Sequence, residues 1–451
     1  MIAGNLLALA TEITDATCFG DANFTGVTTD SRNVKAGQLF VAVRGEQFDG
    51  HHFLKQAIEQ GAVAVVADTL PADWSDPALL VPDTRMALAK IAGFWRRQFV
   101  LPVIGVTGSN GKTTVKEMIA SVLASTFGEA NRLATSGNLN NEIGVPLTVM
   151  QLNASHAAAV IEMGMNHPGE IAQLAIAAEP NIALVNNAQR EHQEFMHTVE
   201  AVAIENGSVI SSLPPSGTAI FPADDLFSPL WRELAGTKKV ISFGFSDDAT
   251  VTAEFEAVQS GNLIELCAFG ERVSVKLNAS GVHNVRNAMA ATACCLAAGL
   301  TLTQIAEGLA LFSPVKGRLQ TQLSGSGVTV IDDTYNANPD SVRAAIDVLR
   351  HHPDSMMILG DMGEVGDKGD VFHFEVGQYA REAGIKRVFL LGDLVKHTAE
   401  GFGTQARSFS SMNELQAALD TTAQSGMTVL VKGSRFMKME RIVQYLLAAK
   451  Y

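Results

Sequence analysis

A three-domain α/β architecture is the reading that fits this chain of 451 residues, and three observations carry it. At ~100–200 residues per domain, the length suits about three units. Apolar residues make up 47% of the chain and charged residues 18%, which supplies several cores and excludes a disordered polymer. Two separate stretches, from Pro102 and from Pro314, alternate strand-like apolar runs with amphipathic helical patterns, as parallel sheets covered on both faces require.

The elements are read in chain order. A small α/β unit is expected over residues 1–83, with strands at 38–43 (QLFVAV) and 62–67 (AVAVVA), a helix over 52–60 between them, and turn-rich punctuation at 71–77. The first ten residues lack a basic stretch and are followed by Glu12 and Asp15, so no signal peptide is expected. The central unit, 84–313, opens on an amphipathic helix over 84–99. Strands at 103–106, 157–161 and 182–185 follow, and the helix after the first of them carries Val115, Met118, Ile119, Val122 and Leu123 on one face. Residues 250–277 show period-two alternation and are expected to form an antiparallel appendage. The apolar stretch 288–302 is shorter than the ~20 residues a spanning helix needs and is broken by Gly299. After a linker at 312–314, a Rossmann-like unit, 314–451, has strands at 328–331, 356–359, 388–391 and 428–431.

Charge narrows the function. Lys and Arg total 33 against 47 Asp and Glu, a net −14, which excludes a general nucleic-acid coat but leaves small anions bound by local cations. Cys18, Cys267, Cys294 and Cys295 show no metal-ligand spacing; the adjacent pair in an alanine-rich stretch reads as reduced core packing. A cytoplasmic monomer without membrane insertion is expected.

The strongest chemical signal is the run 105–114 (GVTGSNGKTT), placed between a strand and a helix. Backbone N–H groups of such a turn, with the helix N-terminus, form an anion nest. Gly108 and Gly111 allow close approach to phosphate oxygens. Lys112 would reach the β- and γ-phosphates, and the Thr113 hydroxyl would ligate Mg²⁺. The strict phosphate-loop pattern places glycine five residues before Gly111, where this chain has Val106, with Gly105 one residue early.

The variant loop 107–114 (TGSNGKTT) resembles that of the Mur ligase family, shared with folylpolyglutamate synthases. Segments 138–146 (NLNNEIGVP), 162–167 (EMGMNH), 281–287 (GVHNVRN), 317–318 and 332–338 (DDTYNAN) are similar to its successive motifs, in order along nearly the whole chain. The resemblance implies ATP as co-substrate and Mg²⁺: a carboxylate is phosphorylated to an acyl phosphate, and an amine then displaces phosphate. It implies nucleotide contacts from Thr107, Gly108, Ser109, Asn110, Gly111, Lys112, Thr113 and Thr114, from Asn287 to adenine, from Arg318 to phosphate and from Asp333 to ribose. Metal ligands would be Thr113, Glu162 and His192, and the catalytic set Lys112, Glu162, His192 and Arg318. Read without the family, Glu162 ends a strand where ligands gather in open α/β sheets, Asn287 suits a helix cap or polar core position, and Asp332 a turn.

Within the family, 359–366 (LGDMGEVG), His373, Gly377 and 430–435 (LVKGSR) resemble the branch that adds D-alanyl-D-alanine to UDP-N-acetylmuramoyl-tripeptide. The Asp-Asn-Pro-Arg signature of diaminopimelate-adding relatives is missing. By the same resemblance Ser31 and Arg32, in 28–32 (TTDSR), and Asn141 face the UDP substrate, as does the segment 39–48 (LFVAVRGEQF). Asp361, Glu364, Lys432 and Ser434 fall on the dipeptide side. The alternatives are another Mur-type or folylpolyglutamate-type amide ligase, or a P-loop kinase or NTPase. One position departs. Many relatives carry a lysine after the metal histidine whose carbamate helps hold Mg²⁺; here Asn206 occupies that place, so no carbamylated lysine is expected. Its charge would come from Glu205, or its place be taken by a water on Asn206.

Overall fold

The structure, a computed structural model, describes residues 2–45, 48–258 and 261–448; Glu46 and Gln47 of the 39–48 motif lie outside them. Three main sheets succeed one another along the chain. The first has five strands in the order Thr17–Phe19, Ala78–Leu80, Ala64–Ala67, Leu39–Val41 and Val27–Thr28, parallel except at the first edge. The second has nine. Arg132–Ala134, Ala158–Glu162, Val103–Thr107, Ile182–Val185, Thr218–Pro222 and Lys239–Phe243 run parallel, and the meander Val251–Val258, Gly261–Ala268, Glu271–Leu277 extends the far edge. The expected appendage is thus antiparallel within itself, but it joins the main sheet through Phe243 and Val251. The third sheet has six strands, parallel except for the edge strand Gln320–Leu323.

Burial explains why these runs become strands. All five residues of Val103–Thr107 and of Ala158–Glu162 are buried, as strands covered on both faces must be. Register places Gly105 beside Ile161 and Ala183, and Val106 beside Glu162, so the glycine turn and the Glu162 carboxylate emerge together at the carboxyl end of the sheet. The helix Lys112–Phe127 packs behind with its predicted face, Val115 to Leu123, fully buried. It meets the helix Leu302–Ala310 so closely that a Cβ on Gly308 would lie 2.3 Å from Val122 Cα.

The apolar stretch 288–302 is divided between the end of the helix Val282–Ala297 and the Thr301-capped start of the next. Cys294 and Cys295 are buried free thiols there, and burial raises both thiol pKa values. Among the described residues, no helix is long and apolar enough to cross a membrane. Two elements differ from expectation at their ends. The helix over 52–60 starts as a 3₁₀ turn, Gly50–Phe53, capped by Asp49. The helix from Thr84 stops at Arg96, whose guanidinium turns back onto the Phe99 and Leu101 carbonyls. The edge strand Ala406–Phe409 escapes prediction because its alternation is weak and none of its residues is buried.

Candidate functional site

A cavity of about 1040 Å³ lies where segments from all three sheets converge. Its floor is the phosphate loop. Gly108 has φ 132° and Gly111 φ 82°, left-handed values that disfavour any side chain. A Cβ on Gly108 would come within 2.9 Å of Asn186 Cβ, and one on Gly111 within 2.5 Å of Asn287 Oδ1. The helix beginning at Lys112 has no side-chain cap, so its first N–H groups are left for an anion.

A run of polar residues behind the strand Ile182–Val185 braces this loop. Asn186 and Asn187 donate to the Asn110 carbonyl at 2.8 and 2.9 Å, and Asn187 Oδ1 accepts the Asn110 N–H at 2.9 Å. Lys112 Nζ donates to the Gly108 and Ser109 carbonyls and lies 3.3 Å from Glu191 Oε2. Burial pushes the Glu191 carboxyl pKa up, against the pull of Lys112 and His192, and its Oε1 has no partner. None of Asn186, Asn187 or Glu191 belonged to the sequence-derived set. The available signal was a polar run directly after a fully apolar strand at the carboxyl edge of a parallel sheet.

Thr113, Glu162 and Arg318 come together. Thr113 Oγ1 donates to Glu162 Oε1 at 3.1 Å and accepts from Arg318 Nη2 at 3.2 Å, while Asn140 Nδ2 donates to the same Glu162 oxygen at 2.8 Å. Glu162 Oε2 is buried without a partner. A hydroxyl and an unpaired carboxylate oxygen suit a hard cation such as Mg²⁺. Among the described residues no three His, Cys, Asp or Glu side chains stand close enough to hold an ion alone. His192, at φ 48°, also lines the cavity, but pairs with Glu364 from the C-terminal sheet and lies 3.8 Å from Glu191.

Other predicted residues take definite positions. Ser109, Asn110, Thr114, Asn141, Asn287, Asp333, Glu364 and Lys432 line the cavity, whereas Thr107 is fully buried beneath it. Asn287 has both ends of its amide engaged, accepting from Asn186 and donating to Asn284, so it braces Gly111. Asp333 accepts the Leu319 N–H and pairs with Lys432, which also donates to the Asn336 carbonyl. Burial pulls the Lys432 pKa down and Asp333 opposes it. Ser434 Oγ ties Gly363 to Ala337. Asp361 stands apart: its carboxylate accepts the N–H groups of Asp393, Leu394 and Val395, each at 2.9 Å, starting the helix Val395–Phe402. Ser31 and Arg32 do not line the cavity, and Arg32 is an exposed partner of Asp30. Arg85, absent from the predicted set, brings a cation to the rim beside Asn141 and Glu142.

The two candidates for the missing lysine separate. Asn206 is buried against the phosphate loop, its Oδ1 accepting the Gly108 N–H at 2.9 Å and its carbonyl the Thr107 hydroxyl at 3.1 Å. Glu205 faces elsewhere, accepting the N–H groups of Gly169 and Ile171 at 2.8 and 2.7 Å. One residue along a helix is ~100° of rotation, and that turn removes Glu205 as the replacement charge.

Three family profiles match in chain order: Mur ligase family, catalytic domain, at residues 23–96; Mur ligase middle domain at 106–295; and Mur ligase, glutamate ligase domain, at 317–435. The chain is 39% identical over 433 residues to the UDP-N-acetylmuramoyl-tripeptide–D-alanyl-D-alanine ligase of Escherichia coli (strain K12), with 94% of each chain covered. Among solved structures, MurF from Acinetobacter baumannii matches with a TM-score of 0.92 at 33% identity over 100% of both chains. MurF ligase from Thermotoga maritima in complex with ADP matches at 0.83 and 28%, covering 93% of this chain and 96% of that one.

Proposed function

The chain belongs to the Mur ligase family, and we propose that it catalyses the ATP-dependent addition of D-alanyl-D-alanine to UDP-N-acetylmuramoyl-tripeptide, giving the UDP-linked pentapeptide precursor of peptidoglycan. The observation that carries this reading is one cavity bounded by the phosphate loop, by Glu162 with Arg318, and by Glu364 with Lys432 of the C-terminal sheet. That arrangement suits three reactants meeting at one carboxyl group, whose oxygen takes the phosphoryl group and whose carbon takes the amine.

The reaction divides into two transfers. A carboxylate oxygen of the tripeptide attacks the γ-phosphorus of ATP, ADP leaves, and an acyl phosphate forms. The dipeptide amine then attacks the acyl carbon, and phosphate leaves as the amide bond closes. The uncapped helix start at Lys112 and the glycine-turn N–H groups hold the phosphates, and Lys112 and Arg318 bear the charge that moves during transfer. Arg318 is kept planar and oriented by stacking on Tyr335, 3.9 Å from its ring centre. Thr113 and Glu162 would hold Mg²⁺, which would supply further charge neutralisation. His192 sits at the seam facing Glu364, where the C-terminal segments approach. Asn287 and Asp333 border the nucleotide, and Asn141 with Arg85 forms the edge toward the UDP substrate. The enzyme works in the cytoplasm as a monomer and uses no carbamylated lysine.

Purified protein should release ADP and phosphate only when tripeptide and dipeptide are both present, with a pentapeptide mass as product. ADP release that ignores the dipeptide would overturn the reading in favour of phosphoryl transfer to another acceptor. Acceptors carrying diaminopimelate or lysine as third residue, run in parallel, identify the natural substrate.

A further inference from the structure

Arg190 lies in the loop between Asn186 and His192, outside every motif described above, and its side chain crosses from the central unit to the C-terminal one. Nη2 donates to Asp340 Oδ1 at 2.7 Å, Nε reaches both oxygens of that carboxylate at 3.2 Å, and the Arg190 backbone N–H donates to Oδ2 at 2.9 Å. Nη1 donates to Glu375 Oε2 at 2.7 Å, and the guanidinium lies over the Phe372 ring at 5.2 Å. One side chain therefore grips the first turn of the helix Pro339–Leu349 and the middle of the helix Gly369–Glu382. The grip needs a planar fork, and a lysine point charge cannot reproduce it. At 19% and 22% side-chain exposure Arg190 and Asp340 are shielded from salt better than a surface pair, while Glu375 is more open.

What the fork fixes is the opposite wall of the cavity. Asp340 follows the helix cap Asn338, whose amide exchanges hydrogen bonds with Asn110 of the phosphate loop at 3.0 and 3.3 Å. Just before that cap runs the segment with Asp333 and with Tyr335, on which Arg318 stacks. Two residues after Arg190 comes His192, paired with Glu364. Among the described residues, the other hydrogen bonds across the seam are the Asn110–Asn338 amide pair, a backbone bond from Glu194 to Glu364 and the Arg318–Thr113 bond. Take Arg190 away, and Asp340 and Glu375 lose the cation that draws them to the seam.

We propose that Arg190 is a positioning residue: its fork onto Asp340 and Glu375 holds the C-terminal unit closed over the phosphate loop and sets the approach of the incoming amine. The inference rests on the ligase reading above and adds a residue to it. Reactions between two bound fragments are steep in alignment, so a looser seam lowers turnover without disturbing the nucleotide contacts.

The test uses the full-length protein with Arg190→Ala, Arg190→Lys and Asp340→Asn. Binding of a fluorescent ATP analogue, measured without the other substrates, should be unchanged in all three, which also reports an intact central unit. Ligation by Arg190→Ala should lose about tenfold or more in kcat and raise the KM of the dipeptide, with Arg190→Lys also impaired. The double variant Arg190→Ala, Asp340→Asn should lose less than the product of the single losses. Small-angle scattering with nucleotide bound should show a larger radius of gyration for Arg190→Ala than for the parent. Unchanged kcat and unchanged scattering in Arg190→Ala overturn the proposal. Should that variant fail to fold, parent-like turnover by Arg190→Lys overturns it instead. A parent protein that does not ligate defeats the functional reading alone, because the scattering comparison reads the clamp independently.

Discussion

Glu205 shares the helix Val199–Ser211 with Asn206, yet its two carboxylate oxygens accept the Gly169 and Ile171 N–H groups at 2.8 and 2.7 Å. These donors start the helix Glu170–Ala178, whose cap residue Gly169 has no side chain to satisfy them. Glu205→Ala removes both acceptors at once. The buried Ile171 N–H left without a partner costs ~1–3 kcal/mol, the Gly169 N–H is on an exposed residue and turns to water, and losing a negative charge at a helix N-terminus costs ~0.3–1 kcal/mol more. A loss of about 1–4 kcal/mol is expected, a sizeable share of the ~5–15 kcal/mol that holds a typical domain. At ~2–4 °C per kcal/mol for a unit of this size, thermal unfolding should come about 2–16 °C earlier, measured by circular dichroism. Glu205→Gln, which keeps one acceptor but turns an amide N–H₂ toward the other donor, should fall between. Well below the new melting temperature, the Mg²⁺ concentration for half-maximal ligation should match that of the parent. A variant with unchanged melting temperature and a raised Mg²⁺ requirement would refute the capping argument and return Glu205 to the metal.

Lys112→Ala removes the ammonium that phosphate needs, and turnover should fall by about 100-fold or more in a coupled ADP-release assay; retained ligation would defeat the phosphate-loop assignment. Ligation in bicarbonate-free, degassed buffer should equal that with added bicarbonate, because Asn206 cannot form a carbamate; a bicarbonate requirement would show one forming elsewhere. His283 lines the cavity wall, and its imidazole is pushed down to about 4 from an ordinary 6.5, chiefly by burial, with Asp333 and Asp347 pulling it up and Lys432 down. Its folded form therefore favours the neutral ring: the stabilisation is full above about 6.5 and drains away as pH falls toward 4, by at most ~3 kcal/mol and less where cavity water screens the charge. Melting temperatures of the parent and of His283→Gln, compared from pH 7 down to pH 4.5, should show the steeper fall in the parent; parallel curves would contradict the buried-imidazole account.

How far the sequence reaches depends on whether a role is local. Ile182–Val185 and Val103–Thr107 are legible because uninterrupted apolar runs in an alternating pattern have one comfortable home, the middle of a parallel sheet. The phosphate loop is legible because its function resides in backbone geometry that Gly108 and Gly111 alone permit. Ala406–Phe409 is missed because an edge strand buries too little to imprint a pattern. The candidate site is read less completely for a related reason. Asp361 has the same chemistry at the tip of a strand as Glu162, but only the fold decides that it starts a neighbouring helix while Glu162 keeps an unpaired oxygen. Arg190 and its partners lie 150 and 185 residues apart, and Glu205 differs from Asn206 only by a rotation. Family resemblance finds residues that share a motif, and it passes over Arg190, which lies between motifs and whose partners Asp340 and Glu375 arrive from another domain.

Charge gives the chain-wide acidity a local meaning. The cavity is lined by Arg85, Lys112, Arg286, Arg318 and Lys432 against nine Asp and Glu side chains, so its walls repeat the acidic balance of the whole chain. Of the cations, Lys432 is engaged by Asp333 and Arg286 by Asp224, while Lys112 shares Glu191. Arg318 is the strongest remaining donor near the phosphate loop, and it contacts a neutral hydroxyl. A cleft built this way does not gather polyphosphates by field alone. It leaves Glu162 Oε2 as a buried, unpartnered oxygen beside which a bare polyphosphate would be repelled and a Mg²⁺–nucleotide would not. Under the proposed ligase reading, this acid excess would favour a metal-loaded nucleotide, whose cation would offset the repulsion between the attacking carboxylate and the γ-phosphate.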